Sequence, residues 1–125
     1  MDTAKVDEIK GLAQIAFAQD ALRGIVLLNG GALISLLALF GQVWSKDSAE
    51  ASIVMISLRP GLLFYLLGTI AGIIAQGAAY LSQQYFVEGH HVVGIALRHV
   101  VIMLSLCGIY LFAHASFSCI NSFIG

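Results

Sequence analysis

Residues 60–86 read PGLLFYLLGTIAGIIAQGAAYLSQQYF and contain no charged side chain. A transmembrane helix needs about 20 consecutive, mostly apolar residues, so this stretch is long enough to cross a bilayer. Small residues recur along it at intervals of four and three, the spacing that places side chains on one face of a helix. They are Gly68, Gly72, Ala75, Ala79 and Ser82. Because helices in lipid associate through close packing, this face predicts a helix-packing seam.

Two further uncharged stretches flank this one, between Arg23 and Lys46 and after Arg98. The chain is 59% hydrophobic and only 10% charged, whereas soluble domains are about 25% charged. The composition therefore argues against a soluble domain. We predict an all-α integral membrane bundle that forms a single membrane domain over residues 1–125, with spans at residues 24–44, 60–86 and 98–120.

Residues 3–23 precede the first span and mix apolar residues at helical spacing with charged ones, which predicts an amphipathic helix. Nothing breaks the pattern at Arg23, so we expect this helix to continue into the first span. Two alternatives remain open, an interfacial helix that lies flat and a cytoplasmic stalk that packs on its neighbours.

The sequence of the connections between the spans indicates where the helices begin and where the chain turns. Residues 45–59 are predicted as the first loop, with Pro60 in the first turn of the second span, where its missing N–H costs nothing. Residues 53–58 are apolar but too short to span, so they either dip into the interface or extend the second helix backwards. Gly89 is the predicted turn between the second and third spans.

The first span carries a second set of small residues on one side, Gly31, Ser35 and Ala38, which we also predict to be a packing seam. It also carries an amide, Asn29, that needs a polar partner in hydrocarbon. Two interpretations stay open for Asn29, a hydrogen bond between helices or a ligand for a substrate or ion.

Four further polar residues are candidates for a role inside the membrane: Gln76 in the second span, His114 and Ser118 in the third, and Asn121 directly after it. None of the predicted spans contains Asp, Glu or Lys, and the only Arg, Arg98, begins the third span. Carriers coupled to protons or ions usually need such a residue inside the membrane, so their absence argues against that class and against acid–base catalysis by carboxylates. We expect no enzyme activity, no catalytic residue, no cofactor and no metal site.

The distribution of basic residues predicts the orientation. Cytoplasmic loops of membrane proteins carry an excess of Lys and Arg. The N-terminal side holds the larger number, namely Lys5, Lys10, Arg23 and Arg98, against Lys46 and Arg59 on the other side. The N-terminus is therefore expected in the cytoplasm and the C-terminus outside.

The segments LLNGGALISLLALFG (residues 27–41) and GTIAGIIAQGAAYLSQQYF (residues 68–86), placed after a short charged helix, resemble a group of small bacterial inner-membrane proteins. These proteins begin with such a helix, carry Asn-Gly-Gly-Ala in the first span and end the second span in Tyr and Gln. The resemblance implies a bacterial inner membrane and carries no activity and no functional residues.

Two main function classes fit this pattern. The first is a self-associating protein whose seams build a homo-oligomer that forms a pore or perturbs the membrane, as holins and membrane-disrupting effectors do. The second is an accessory or anchor subunit of a larger membrane complex, and a small channel or carrier is a third alternative. The partners expected are the lipid bilayer and further membrane chains. No basic run is present, which argues against nucleic acid.

Overall fold

The structure, a computed structural model, describes residues 2–45 and 49–124. In these residues it contains three α-helices and no strand: α1 (Thr3–Trp44), α2 (Ala49–Val87) and α3 (His91–Ile124). Each helix is long and apolar enough to cross a membrane. The all-α class and the three candidate spans are thus confirmed.

Helix α1 is continuous through Arg23 and Gly24. Before Leu22, only Val6 and Gly11 among its described side chains are even half-buried. Apolar and charged side chains on this segment are both exposed to solvent, and Phe17 is 77% exposed. The first part of α1 therefore protrudes from the packed part of the bundle, and none of its described faces is covered by another helix.

Helix α2 lies between the other two helices. It packs along most of its length against α3 and along a shorter length against α1, while α1 and α3 meet only briefly. The small buried core forms around Leu22, Ile25 and Ala75, with Val101 and Leu104 packed against it. Most large apolar side chains outside this core are exposed, which is the arrangement expected where lipid covers the outer surface.

Helix α2 begins at Ala49, so the prediction that Pro60 lies in the first turn of this helix is wrong. Pro60 lies in the helix interior, where its missing N–H leaves the carbonyl of Ile56 without its helical donor. Packing on α3 holds the extension in place: Leu58 is 1% exposed, and Ser122 Oγ donates to the Ser57 carbonyl at 3.1 Å. Residues 53–58 therefore extend the second helix backwards.

The turn between α2 and α3 lies at Gly89, as predicted, with a φ of 85°. The amide of His90 donates to the Tyr85 carbonyl at 2.9 Å, and the amide of Gly89 donates to the Phe86 carbonyl at 3.2 Å. This pair of bonds is the Schellman motif, which uses a left-handed residue to satisfy the last carbonyls of a helix. A residue with a Cβ would be strained at this φ.

Candidate functional site

The three helices come closest together at one level of the bundle, which we call the crossing point: Asn29 on α1, Gly68 on α2 and Gly108 on α3. Asn29 is 1% exposed. A Cβ at Gly68 would occupy the place of the Asn29 amide, and a Cβ at Gly108 would lie 2.8 Å from Ile25 Cγ2. The two glycines are therefore what allows α1 to reach both other helices.

The Asn29 amide is bonded inside the bundle. Its Nδ2 donates to the Ile25 carbonyl of its own helix at 2.9 Å and to the Gly108 carbonyl of α3 at 3.4 Å. Its Oδ1 is buried and has no hydrogen-bond partner among the described residues. Because Gly68 closes the space beside the amide, this geometry favours a hydrogen bond between helices over a ligand site.

Replacing Asn29 by leucine tests that interpretation. Leucine has nearly the same shape, loses the long bond to Gly108 and removes an unpaired carbonyl oxygen from the interior. We expect a change of about 0.6 kcal/mol or less in the free energy of unfolding in detergent, the average for interhelical hydrogen bonds in membranes. If the Asn29→Leu protein unfolds like the wild type but no longer releases dye from lipid vesicles, Asn29 would instead be assigned to ligand binding.

The predicted α2 seam lies in the contacts inside the chain. Gly72 and Ala75 are buried and Ala79 is half-buried. A Cβ at Gly72 would lie 2.8 Å from Val26 Cγ2 of α1. The hydroxyl of the buried Ser82 donates to the Gly94 carbonyl of α3 at 2.8 Å. The small residues of α2 are thus used to pack α1 and α3 within a single chain.

The small residues of α1 lie elsewhere. Gly31, Ser35 and Ala38, which we call the α1 small-residue face, are all exposed. No described atom lies within 4 Å of a Cβ built on Gly31, and Ser35 Oγ donates to the Gly31 carbonyl of its own helix at 2.8 Å. The half-buried side of α1 carries larger residues instead, including Leu33, Leu36 and Phe40. The α1 small-residue face is therefore exposed in the single chain.

The predicted polar residues of the third span form an α3 polar face, which consists of His114, Ser118 and Asn121. His114 and Asn121 are exposed and Ser118 is half-buried. The His114 ring lies against Phe64 of α2, with 4.7 Å between ring centroids, and against Tyr110 at 5.9 Å. Within the described residues the Asn121 side chain makes no hydrogen bond, so its amide is available to water or to another chain.

One polar contact between α2 and α3 was missed from the sequence. The buried Tyr65 hydroxyl and Ser116 Oγ are 2.8 Å apart. Helical spacing could have indicated this contact, because Tyr65 precedes Gly68 by three residues and so lies on the same packing face of α2. The contact is structural, because Ser116 Oγ is also held by the Phe112 carbonyl at 2.8 Å.

The remaining polar prediction, Gln76, is half-buried on α2 and lines a surface cavity next to Arg23 of α1. Within the described ranges, no three His, Cys, Asp or Glu side chains lie close enough to hold a metal ion. The structure therefore brings the polar residues to three separate places: Asn29 at the crossing point, Gln76 at the N-terminal end of the bundle and the α3 polar face at the other end.

No family model, no curated protein and no solved structure matches this chain. Two features remain exposed in the single chain: the α1 small-residue face, and the His114 and Asn121 side chains of the α3 polar face.

Proposed function

We propose that the chain is a non-enzymatic protein of the bacterial inner membrane that assembles with copies of itself into a pore-forming or membrane-perturbing oligomer. The observation that carries this proposal is the exposure of Gly31, Ser35 and Ala38. Small residues gain nothing from contact with lipid tails, whereas they let the backbone of another helix approach closely. The fold uses the equivalent face of α2 internally and leaves this one free for a neighbouring copy.

The α3 polar face supports the pore-forming version of the proposal. Polar side chains inside a membrane face protein or water and seldom lipid. His114 and Asn121 are exposed in the single chain, so an assembly has to cover them or to surround a water-filled opening with them. Neutral side chains of this kind can line an opening without binding an ion tightly.

The proposed orientation places the N-terminus in the cytoplasm and the C-terminus outside, from the distribution of Lys and Arg. The first part of α1 then extends into the cytoplasm, where an amphipathic surface can contact the membrane or a neighbouring copy. The α3 polar face lies near the outer surface. A role as accessory subunit of a larger complex is the competing proposal, and a small channel or carrier is the third.

The mass of the purified chain decides between these classes. The full chain, purified alone in mild detergent, is expected to give one discrete mass that corresponds to a homo-oligomer. A monomer, or an unspecific aggregate, would contradict self-assembly and would favour a missing partner chain. Release of small and large dyes from vesicles then separates a pore or lesion from a selective channel or carrier, which would retain both dyes.

Replacing Asn121 by leucine tests the α3 polar face. A leucine exposes apolar surface to the water in the opening and makes it harder to wet. With a cost on the order of 1 kcal/mol, we expect dye release to slow about fivefold. The mass of the oligomer should not change. Ser52→Leu is the matched control, because Ser52 is an exposed polar residue near the same end of the bundle on α2. Equal slowing by both variants would mean that α3 does not line the opening.

A further inference from the structure

A surface cavity of about 170 Å³ lies between α1 and α2. Its wall combines a cation, two amides and a phenol with two apolar side chains. The lining residues are Gln19, Leu22, Arg23, Gln76, Ala79 and Tyr80. Neither the packing of the helices nor the proposed assembly uses this cavity.

The level of the cavity along the bundle can be read from two arginines. Arg23 is the last charged residue before the uncharged stretch of α1, and it lies beside Gln76 and Tyr80. Arg98 is the last charged residue of α3 before its uncharged stretch. Since Ser82 bonds to the Gly94 carbonyl and the helices are antiparallel, Arg98 faces the level of residues 78–79 of α2.

Two arginines on different helices thus stand at one level, where the apolar stretches of α1 and α3 begin. Basic and aromatic side chains concentrate at the boundary between hydrocarbon and headgroups. If the hydrocarbon layer begins at these two arginines, the cavity opens at the depth of the lipid phosphates on the side of the N-terminus, and the predicted second span (residues 60–86) extends beyond it.

The polar groups of the cavity have free hydrogen-bonding capacity. The only described ion-pair partner of Arg23 is Asp20, at 3.7 Å, which leaves most of the five guanidinium donors unused. Gln19, Gln76 and Tyr80 make no side-chain hydrogen bond to any described residue. Gln76 is half-buried, but its amide is not among the buried unpaired groups of the described residues, so its donors and acceptor are open to a ligand that enters the cavity.

We propose that this cavity binds a phosphate ester, carried by the headgroup of an anionic membrane lipid. The Arg23 guanidinium binds the phosphate oxygens through charge-assisted hydrogen bonds, and its planar fork suits two oxygens at once. The Gln76 amide and the Tyr80 hydroxyl donate to the remaining acceptors. Leu22 and Ala79 provide an apolar floor for the start of the acyl chains. Basic pockets between helices on the cytoplasmic side are typical sites for such headgroups.

The test measures lipid binding to the full chain in mild detergent by native mass spectrometry, with phosphatidylglycerol as the probe. We expect Arg23→Gln to weaken binding about tenfold, the effect of losing hydrogen bonds to a charged group. Arg98→Gln is the matched control, because it removes an arginine at the same depth but outside the cavity, and it should leave binding within about twofold. Tyr80→Phe, which removes one hydroxyl, should weaken binding about threefold.

Two further arms identify the source of the phosphate. If inorganic phosphate displaces the lipid at equal concentration, the cavity is still a phosphate-binding site, but its ligand is a soluble phosphate. Failure to displace it assigns the site to the lipid. Equal losses in Arg23→Gln and Arg98→Gln would overturn the proposal, because binding would then follow surface charge and not the cavity.

The folding of the variants is checked on the same samples by their helix content. If Arg23→Gln does not fold, Tyr80→Phe decides: unchanged binding of phosphatidylglycerol in a folded Tyr80→Phe protein overturns the proposal. The cavity is separate from the α1 small-residue face and the α3 polar face. The measured mass can therefore contradict self-assembly while lipid binding is confirmed, or the reverse.

Discussion

Replacing Gly72 by leucine is expected to separate α1 from α2 and to lower the free energy of unfolding by about 3 kcal/mol or more. A Cβ at this position would lie 2.8 Å from Val26 Cγ2, 3.4 Å from Ile25 Cγ2 and 3.6 Å from the Val26 backbone nitrogen. The Cβ itself is too close only to the Val26 methyl group, but the three further carbons of a leucine have to enter the same space, which Val26, Ile25 and the backbone of α1 already fill. The whole of α1 has to move away from α2, and the core formed by Leu22, Ile25 and Ala75 opens with it.

Reversible unfolding in detergent, followed by helix content and by protease resistance of α1, measures the effect. Gly77→Leu is the matched control on the same helix, because no described atom lies within 4 Å of a Cβ at Gly77. Leucine is a better helix former than glycine by about 0.8 kcal/mol, so the control should be neutral or slightly stabilising. Equal destabilisation by both variants would show that α1 does not pack on Gly72.

The sequence was sufficient to predict the helices, because charge is excluded from a hydrocarbon layer and the three uncharged stretches are well separated. The turn at Gly89 was predictable for a similar reason, since glycine in a left-handed conformation follows from a local rule. For residues 53–58 the sequence left two alternatives open, because proline is favoured in a first helical turn and tolerated inside a helix only with support. That support comes from Leu58 and Ser122, which are distant from each other in sequence.

The packing faces could be predicted only in part. Small residues mark a face that can pack closely, but they do not say which helix fills it. On α2 the face of Gly68, Gly72 and Ala75 is buried inside the chain, whereas the similar face of α1 around Gly31 is exposed. The side of α1 that packs inside the chain carries Leu22, Ile25 and Asn29, and helical spacing places Gly31 on the opposite side. Which side packs depends on contacts between helices that a pattern of small residues does not contain.

Because the face around Gly31 is exposed, a large side chain there is expected to act on the assembly of the oligomer and not on the folding of the chain. Gly31→Leu is expected to dissociate the oligomer and to raise its dissociation constant at least about tenfold, the equivalent of about 1.4 kcal/mol. A leucine at the contact prevents the close approach of two backbones on which the association of helices in lipid depends. The mass of the protein in mild detergent should fall to that of the monomer, and dye release from vesicles should fall with it.

Gly77→Leu, the control for Gly72→Leu, is also the control for Gly31→Leu. Gly77 is an exposed glycine with no described atom within 4 Å of a Cβ, and it lies on α2, away from the α1 small-residue face. The control should keep the mass of the oligomer. If Gly31→Leu keeps it too, the α1 small-residue face is not the contact between copies.

The unfolding of the two leucine variants separates folding from assembly. Gly31→Leu should unfold like the wild-type monomer, because its side chain meets open space, whereas Gly72→Leu should lose stability and assembly together. A protein in which both variants lost stability would require α1 to pack through the face of Gly31 within its own chain. Retained stability and lost dye release in Gly31→Leu alone would place the activity in the contact between copies.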